Sequence, residues 1–279
     1  MQGKGRARRG ALLAAAALAV TLGACNLIQP LDPSLEAAFL TADPDDDYGI
    51  AVHDDATTIT ARATNTAGGN TRVAFWPAGA PQIRDQQSCM SWFEGAHGTQ
   101  QGVALRARSV VGRTSAITVT KNVWLGFYWV FNVHLMDSGN TERPYILIAQ
   151  FVVNGSLVRD GAQAPGPWRL CARVVGDVLS VKAWAGDEAV PAWNDTVHGG
   201  SVTVPPGWDA PGAAGWYIGH LAPGASTTYT DRAVLDLTAP EEPTSTTTET
   251  TEPAETTTTE ATVASGPTTT TSTLVGADP

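Results

Sequence analysis

Helical periodicity is nearly absent from this chain. No segment repeats apolar residues at three- and four-residue spacing for long, which argues against helix bundles and doubly wound α/β folds. The longest apolar run, Ala11 to Val20, falls far below the ~20 residues that a spanning helix needs. Basic residues are also scarce: 17 Lys and Arg against 27 Asp and Glu leave a net charge of −10. Such a surface repels nucleic acid and anionic lipid, and disfavours a polyanionic substrate unless a local basic patch overrides it. The three cysteines have no His or Cys at metal-ligand spacing, so a zinc site is not expected.

What is present begins with a basic start (Lys4, Arg6, Arg8, Arg9), the apolar run, and Leu22-Gly23-Ala24-Cys25. A charged region, a short apolar region and small residues at the cut describe a secretory signal peptide. The segment resembles a bacterial lipoprotein signal of the form Leu-x-Ala/Gly-Cys, with Gly23 a less usual middle residue. The resemblance implies a diacylglyceryl group on Cys25 and cleavage at 24/25. The mature protein is then expected to be secreted and lipid-anchored to the outer face of the cytoplasmic membrane, in the cell envelope. With Cys25 assigned to lipid, Cys89 and Cys171 remain as an even pair in an oxidising compartment, expected to form a disulfide. Two separate buried thiols are the alternative.

Four regions follow. Residues 1–24 are the signal, 25–34 a lipid-proximal tether, 35–239 one folded domain, and 240–279 a Thr/Glu/Pro-rich tail without hydrophobic periodicity, expected to be extended and disordered. The signal holds four of the 17 cations and the tail seven of the 27 acids, so the folded part carries 13 − 20 = −7.

From Ile50 onward, short β-branched and aromatic runs alternate with Gly, Asn, Asp and Pro, which predicts about ten strands in two packed antiparallel sheets. Expected strands include Val123–Met136, Tyr145–Val153, Trp168–Val174, Val178–Trp184 and Gly215–His220; Leu35–Leu40 reads as either helix or strand. Asn154-Gly155 reads as the turn after Tyr145–Val153, and the clearest hairpin is Trp168–Val174, turning at Gly176-Asp177 into Val178–Trp184. Its alternation sets Arg169, Cys171 and Arg173 on one face, with Trp168, Leu170, Ala172 and Val174 on the other.

That hairpin, followed by Pro191-Ala-Trp193, Gly215-Trp-Tyr-Ile-Gly219 and Thr228-Tyr-Thr-Asp-Arg-Ala-Val234, resembles laminin-G-like modules of the concanavalin A-like lectin/glucanase class. The resemblance covers residues 145–237 and implies an all-β, two-sheet antiparallel jelly-roll sandwich that binds or cleaves polysaccharide on one sheet face. Fold alone does not assign function. Retaining glucanases of this class carry paired carboxylates on one strand as Glu-x-Asp-x-(x-)Glu, and this chain has no such motif. Glu94 is the lone acid candidate. A lyase would draw on Gln150, His134, Tyr128 and Arg169 or Arg173.

Sugar binding asks less: an aromatic platform with amide or charged groups on one face. Trp124, Tyr128, Asn132 and His134 share a face of Val123–Met136, opposite Phe127, Trp129 and Phe131, and with Gln150 they form the candidate glycan site. Asp45, Asp47 and Asp231 are the candidate ligands of a structural calcium ion outside the EF-hand pattern. The expected protein is a monomeric, non-catalytic glycan binder tethered to the membrane, with no nucleic-acid partner. A structural or protein-interaction module and a polysaccharide-cleaving enzyme are the alternatives.

Overall fold

The computed structural model describes residues 27–43, 46–61, 70–93, 99–124, 128–160 and 162–238. In chain order the first strands are β1 (Leu27–Leu31), β2 (Leu35–Thr41), β3 (Asp47–His53), β4 (Ala56–Ala61), β5 (Arg72–Pro77) and β6 (Gln86–Trp92). Next come β7 (Gln100–Val110), β8 (Arg113–Trp124), β9 (Tyr128–Asp137), β10 (Tyr145–Val152), the helical turn α1 (Asn154–Leu157), β11 (Val158–Arg159) and β12 (Ala162–Gln163). The last are β13 (Trp168–Val175), β14 (Val178–Ala185), β15 (Gly199–Thr203), β16 (Ala213–Gly219) and β17 (Ser226–Asp236).

Two sheets form the expected jelly-roll sandwich. One has eight strands in the order β1-β3-β4-β17-β6-β13-β14-β15, the other seven in the order β10-β9-β8-β7-β16-β5-β2. All pairings within them are antiparallel except β1 with β3. Inward rows from both sheets make the core: Trp92, Trp168, Leu170 and Val181 from one, Phe75, Val119, Phe131 and Ile218 from the other. Trp129 lies 5.2 Å from Trp168 and 6.1 Å from Trp92, so aromatic packing closes one region of this core. Three polar side chains between the sheets bond to backbone carbonyls. Ser88 Oγ donates to the Gly215 carbonyl at 2.6 Å, Trp216 Nε1 to the Cys89 carbonyl at 2.9 Å, and Tyr229 Oη to the Tyr217 carbonyl at 2.7 Å.

The β13–β14 hairpin has the expected faces and register, with Val175 opposite Val178 and Gly176 at φ 59 supplying the left-handed turn residue. Cys171 stands directly across from Cys89 on β6, and the two form a disulfide on the outer side of the eight-stranded sheet.

Three expectations need correction. Leu27–Leu31, expected to be part of the tether, is a strand that pairs in parallel with β3. Val123–Met136 is not one strand: Val123 and Trp124 end β8, and β9 begins at Tyr128. Asn154-Gly155 opens the helical turn α1 instead of a hairpin turn. The ambiguous Leu35–Leu40 is strand β2, held by pairing with β5.

Candidate functional site

Alternation and register assign the outward face of the seven-stranded sheet. Asn132 pairs with Thr120 and Gln150, and His134 with Thr118 and Leu147. Phe131 and Val133, one residue away, point into the core.

Much of this outward face is not open. Leu40, Ala74, Trp76, Ala104, Met136 and Tyr217 belong to a second apolar cluster, separate from the core between the sheets. Small residues allow it: a Cβ on Gly215 would run into the Phe75 carbonyl and the Trp76 side chain, and one on Gly219 into the Tyr217 hydroxyl. Thr118 and Thr120 are fully buried here, and their hydroxyls have no hydrogen-bond partner among the described residues.

The polar cluster lies toward β9 and β10. Gln150 Nε2 donates to Asn132 Oδ1 at 2.9 Å; Asn132 is buried and Gln150 exposed. The His134 ring meets Tyr145 edge-on at 5.8 Å, and the Arg72 guanidinium sits over the same tyrosine ring at 4.9 Å. Arg72 also bonds Thr41 Oγ1 at 3.0 Å, Asn70 Oδ1, and His220 Nε2 at 2.9 Å. Burial, with the nearby Arg72 and His220, pushes His134 down to about 4, so its imidazole is neutral at pH 7. Tyr145 keeps 45% of its surface exposed. The assembled site is therefore an exposed aromatic ring, a neutral imidazole, a guanidinium and an amide pair.

Of the five residues expected from the sequence, Asn132, His134 and Gln150 come together on one face. Trp124 and Tyr128 pair with each other in register on the β8–β9 ladder, but their side chains lie outside the described residues. Sequence reading missed Tyr145, Arg72 and His220. The strand alternation that puts Tyr145 on the Gln150 face is interrupted by a register shift between Leu147 and Ala149, which hides the relation.

The calcium expectation does not assemble. Gly49, Thr60 and Ser226 share one row of the β3–β4–β17 ladder, and Val52, Thr57 and Tyr229 another. Asp47 lies beyond the first row and Asp231 beyond the second, roughly 23 Å apart along the strands at ~3.3 Å per residue. One ion cannot take both. Asp45, Glu94 and Cys25 lie outside the described residues, and no cluster of three His, Cys, Asp or Glu suited to a metal occurs among those described.

Neither a known family model nor a curated protein matches the chain. Solved structures similar to it include the VIP36 exoplasmic/lumenal domain in its Ca2+/Man3GlcNAc-bound form, at 12% identity and a TM-score of 0.43 over 78% of this chain and 92% of that one. The carbohydrate binding module CBM66 from Bacillus subtilis is similar at 7% identity, TM-score 0.42, over 71% and 94% of the two chains. The legume lectin-like domain from Entamoeba histolytica is similar at 10%, TM-score 0.45, over 77% and 97%. At these scores neither a ligand nor a site passes from them to this chain.

Proposed function

We propose that this protein is a lipid-anchored envelope protein that binds glycan without cleaving it, at the Tyr145, His134, Asn132 and Gln150 edge of the seven-stranded sheet. The observation that carries the reading is the exposed Tyr145 ring, backed by Arg72 and His134 and set on the same strand as Gln150. An aromatic face suits the C–H side of a sugar ring, and the amide pair offers a donor and an acceptor for hydroxyls. The described groups around His134 are Arg72, His220 and Tyr145, none of them a carboxylate of the kind a glycosidase pairs as acid and base. The anchor rests on the Leu22–Cys25 signal.

The test is a neutral-glycan array probed with the full chain in non-ionic detergent, beside a Tyr145→Ala variant. Binding that the substitution abolishes supports the site; no binding, or binding unchanged, refutes it.

A second reading, a protein-interaction module, is favoured by β10 itself. This edge strand carries no charge and exposes Ile146, Leu147 and Val152, the composition that recruits another strand. Concentration-dependent association that Ile146→Lys removes, with no glycan bound, would favour it.

A further inference from the structure

The outer face of the eight-stranded sheet concentrates positive charge on an acidic protein. Arg169, Cys171 and Arg173 project from β13, and their partners on β14 are Trp184, Lys182 and Ser180. Lys182 therefore stands beside the disulfide, between the two arginines. Arg169 and Arg173 are four residues apart, about 13 Å along the strand.

The segment after β14 lays Trp193 on this face. The Arg173 guanidinium and Lys182 Nζ each lie 4.4 Å from the Trp193 ring centre, and Lys182 Nζ donates to the Pro191 carbonyl at 2.8 Å. None of the three cations takes part in an ion pair among the described residues. Burial lowers the pKa of Arg173; burial and the neighbouring Arg173 lower that of Lys182. Burial thus makes Arg173 and Lys182 costly to charge, and no ion pair among the described residues offsets that cost.

Pinning the Pro191–Trp193 segment accounts for Lys182 and Arg173 but not for Arg169. Its Nε is buried without a hydrogen-bond partner among the described residues, as is Trp184 Nε1 on the paired residue. A guanidinium matches a carboxylate with two parallel hydrogen bonds, and such a ligand supplies both the missing acceptor and the missing charge.

We propose that this face is a second ligand surface, which binds an acidic polysaccharide through its carboxylates at Arg169 and Arg173, with buried Lys182 adding positive charge beneath and the half-buried Trp193 ring packing on a sugar. The site stands apart from Tyr145, on the other sheet, and does not depend on glycan binding there.

The test titrates the full chain in non-ionic detergent with polygalacturonate, dextran and inorganic polyphosphate, following tryptophan fluorescence. Polygalacturonate is expected to bind, to weaken as salt rises, and to lose at least tenfold in affinity in Arg169→Gln/Arg173→Gln, while dextran causes no change at this face. Tyr145→Ala should leave polygalacturonate binding intact. Retention of the wild-type thermal midpoint shows that the double variant is folded; should it unfold, Arg169→Lys, which keeps the charge and loses the fork, must weaken binding in its place. No polygalacturonate binding, binding indifferent to these substitutions, or polyphosphate binding as tightly as polygalacturonate overturns the proposal.

Discussion

The Arg72 guanidinium lies 4.9 Å from the centre of the Tyr145 ring, although Arg72 is on β5 and Tyr145 on β10, five places apart in one sheet. Flat strands at ~4.8 Å spacing would hold them roughly 24 Å apart, more than the two side chains span. The seven-stranded sheet must therefore coil until its flanks meet through these side chains. Coiling of this kind encloses the apolar cluster of Trp76 and Tyr217 and leaves the polar groups near β10 at the opening.

Replacing Tyr145 by Ala should abolish glycan binding at this edge, whereas Tyr145→Phe, which keeps the ring, should retain most of it. Arg72→Lys keeps the charge but loses planar stacking, and is expected to weaken binding severalfold. Isothermal titration with a glycan selected on the array checks all three.

His134 makes stability depend on pH in a defined window. Its folded value of about 4 lies below the ordinary 6.5, so the unfolded chain binds more protons between these limits. Stability is complete above pH 6.5 and is lost as pH falls toward 4, by on the order of 2–3 kcal/mol. Denaturant unfolding at pH 7 and pH 4.5 should show the loss, and His134→Asn should remove most of it.

Lys121 is buried in the inward row of β8, with Nζ 5.7 Å from the Trp129 ring centre. Burial pushes it down to about 8 from 10.5, so the unfolded chain binds more protons between those values and stability rises with pH across them. Lys121→Met should add on the order of 2–3 kcal/mol at pH 7 and flatten the alkaline rise. Unfolding curves from pH 7 to pH 10.5 would show both effects.

Removing the Cys89–Cys171 bridge, which links residues 82 apart, should cost roughly 2–5 kcal/mol by freeing the unfolded chain. Cys89→Ala/Cys171→Ala and reductant-treated wild type are expected to melt at similarly lowered temperatures. A midpoint insensitive to reductant would contradict this.

Mass spectrometry of the mature amino terminus should find acylated Cys25. A different, unmodified terminus would remove the anchor from the proposed function.

The alternation in Trp168–Val174 was enough to place its core and outer rows, and the Gly176-Asp177 turn fixed its pairing with β14. The same alternation put Asn132 and His134 on one face. It carried no information about curvature, so the meeting of Arg72 with Tyr145 was not legible. Inward polar residues obscured β6, where Gln86 and Ser88 are buried and bond to the Gly212 and Gly215 carbonyls, distant in sequence. The aromatic and β-branched stretch Val123–Met136 hid the break between β8 and β9 because a period-two pattern looks the same on either side of it.

Strand β1 begins at Leu27 and is tied to β3, so a single residue, Asn26, separates it from Cys25. Two residues of chain reach only about 7 Å. Were Cys25 acylated as proposed, so short a leash would leave the sandwich almost no radius of search: it would ride close to the bilayer, and a polymer would have to come down to the membrane to be caught.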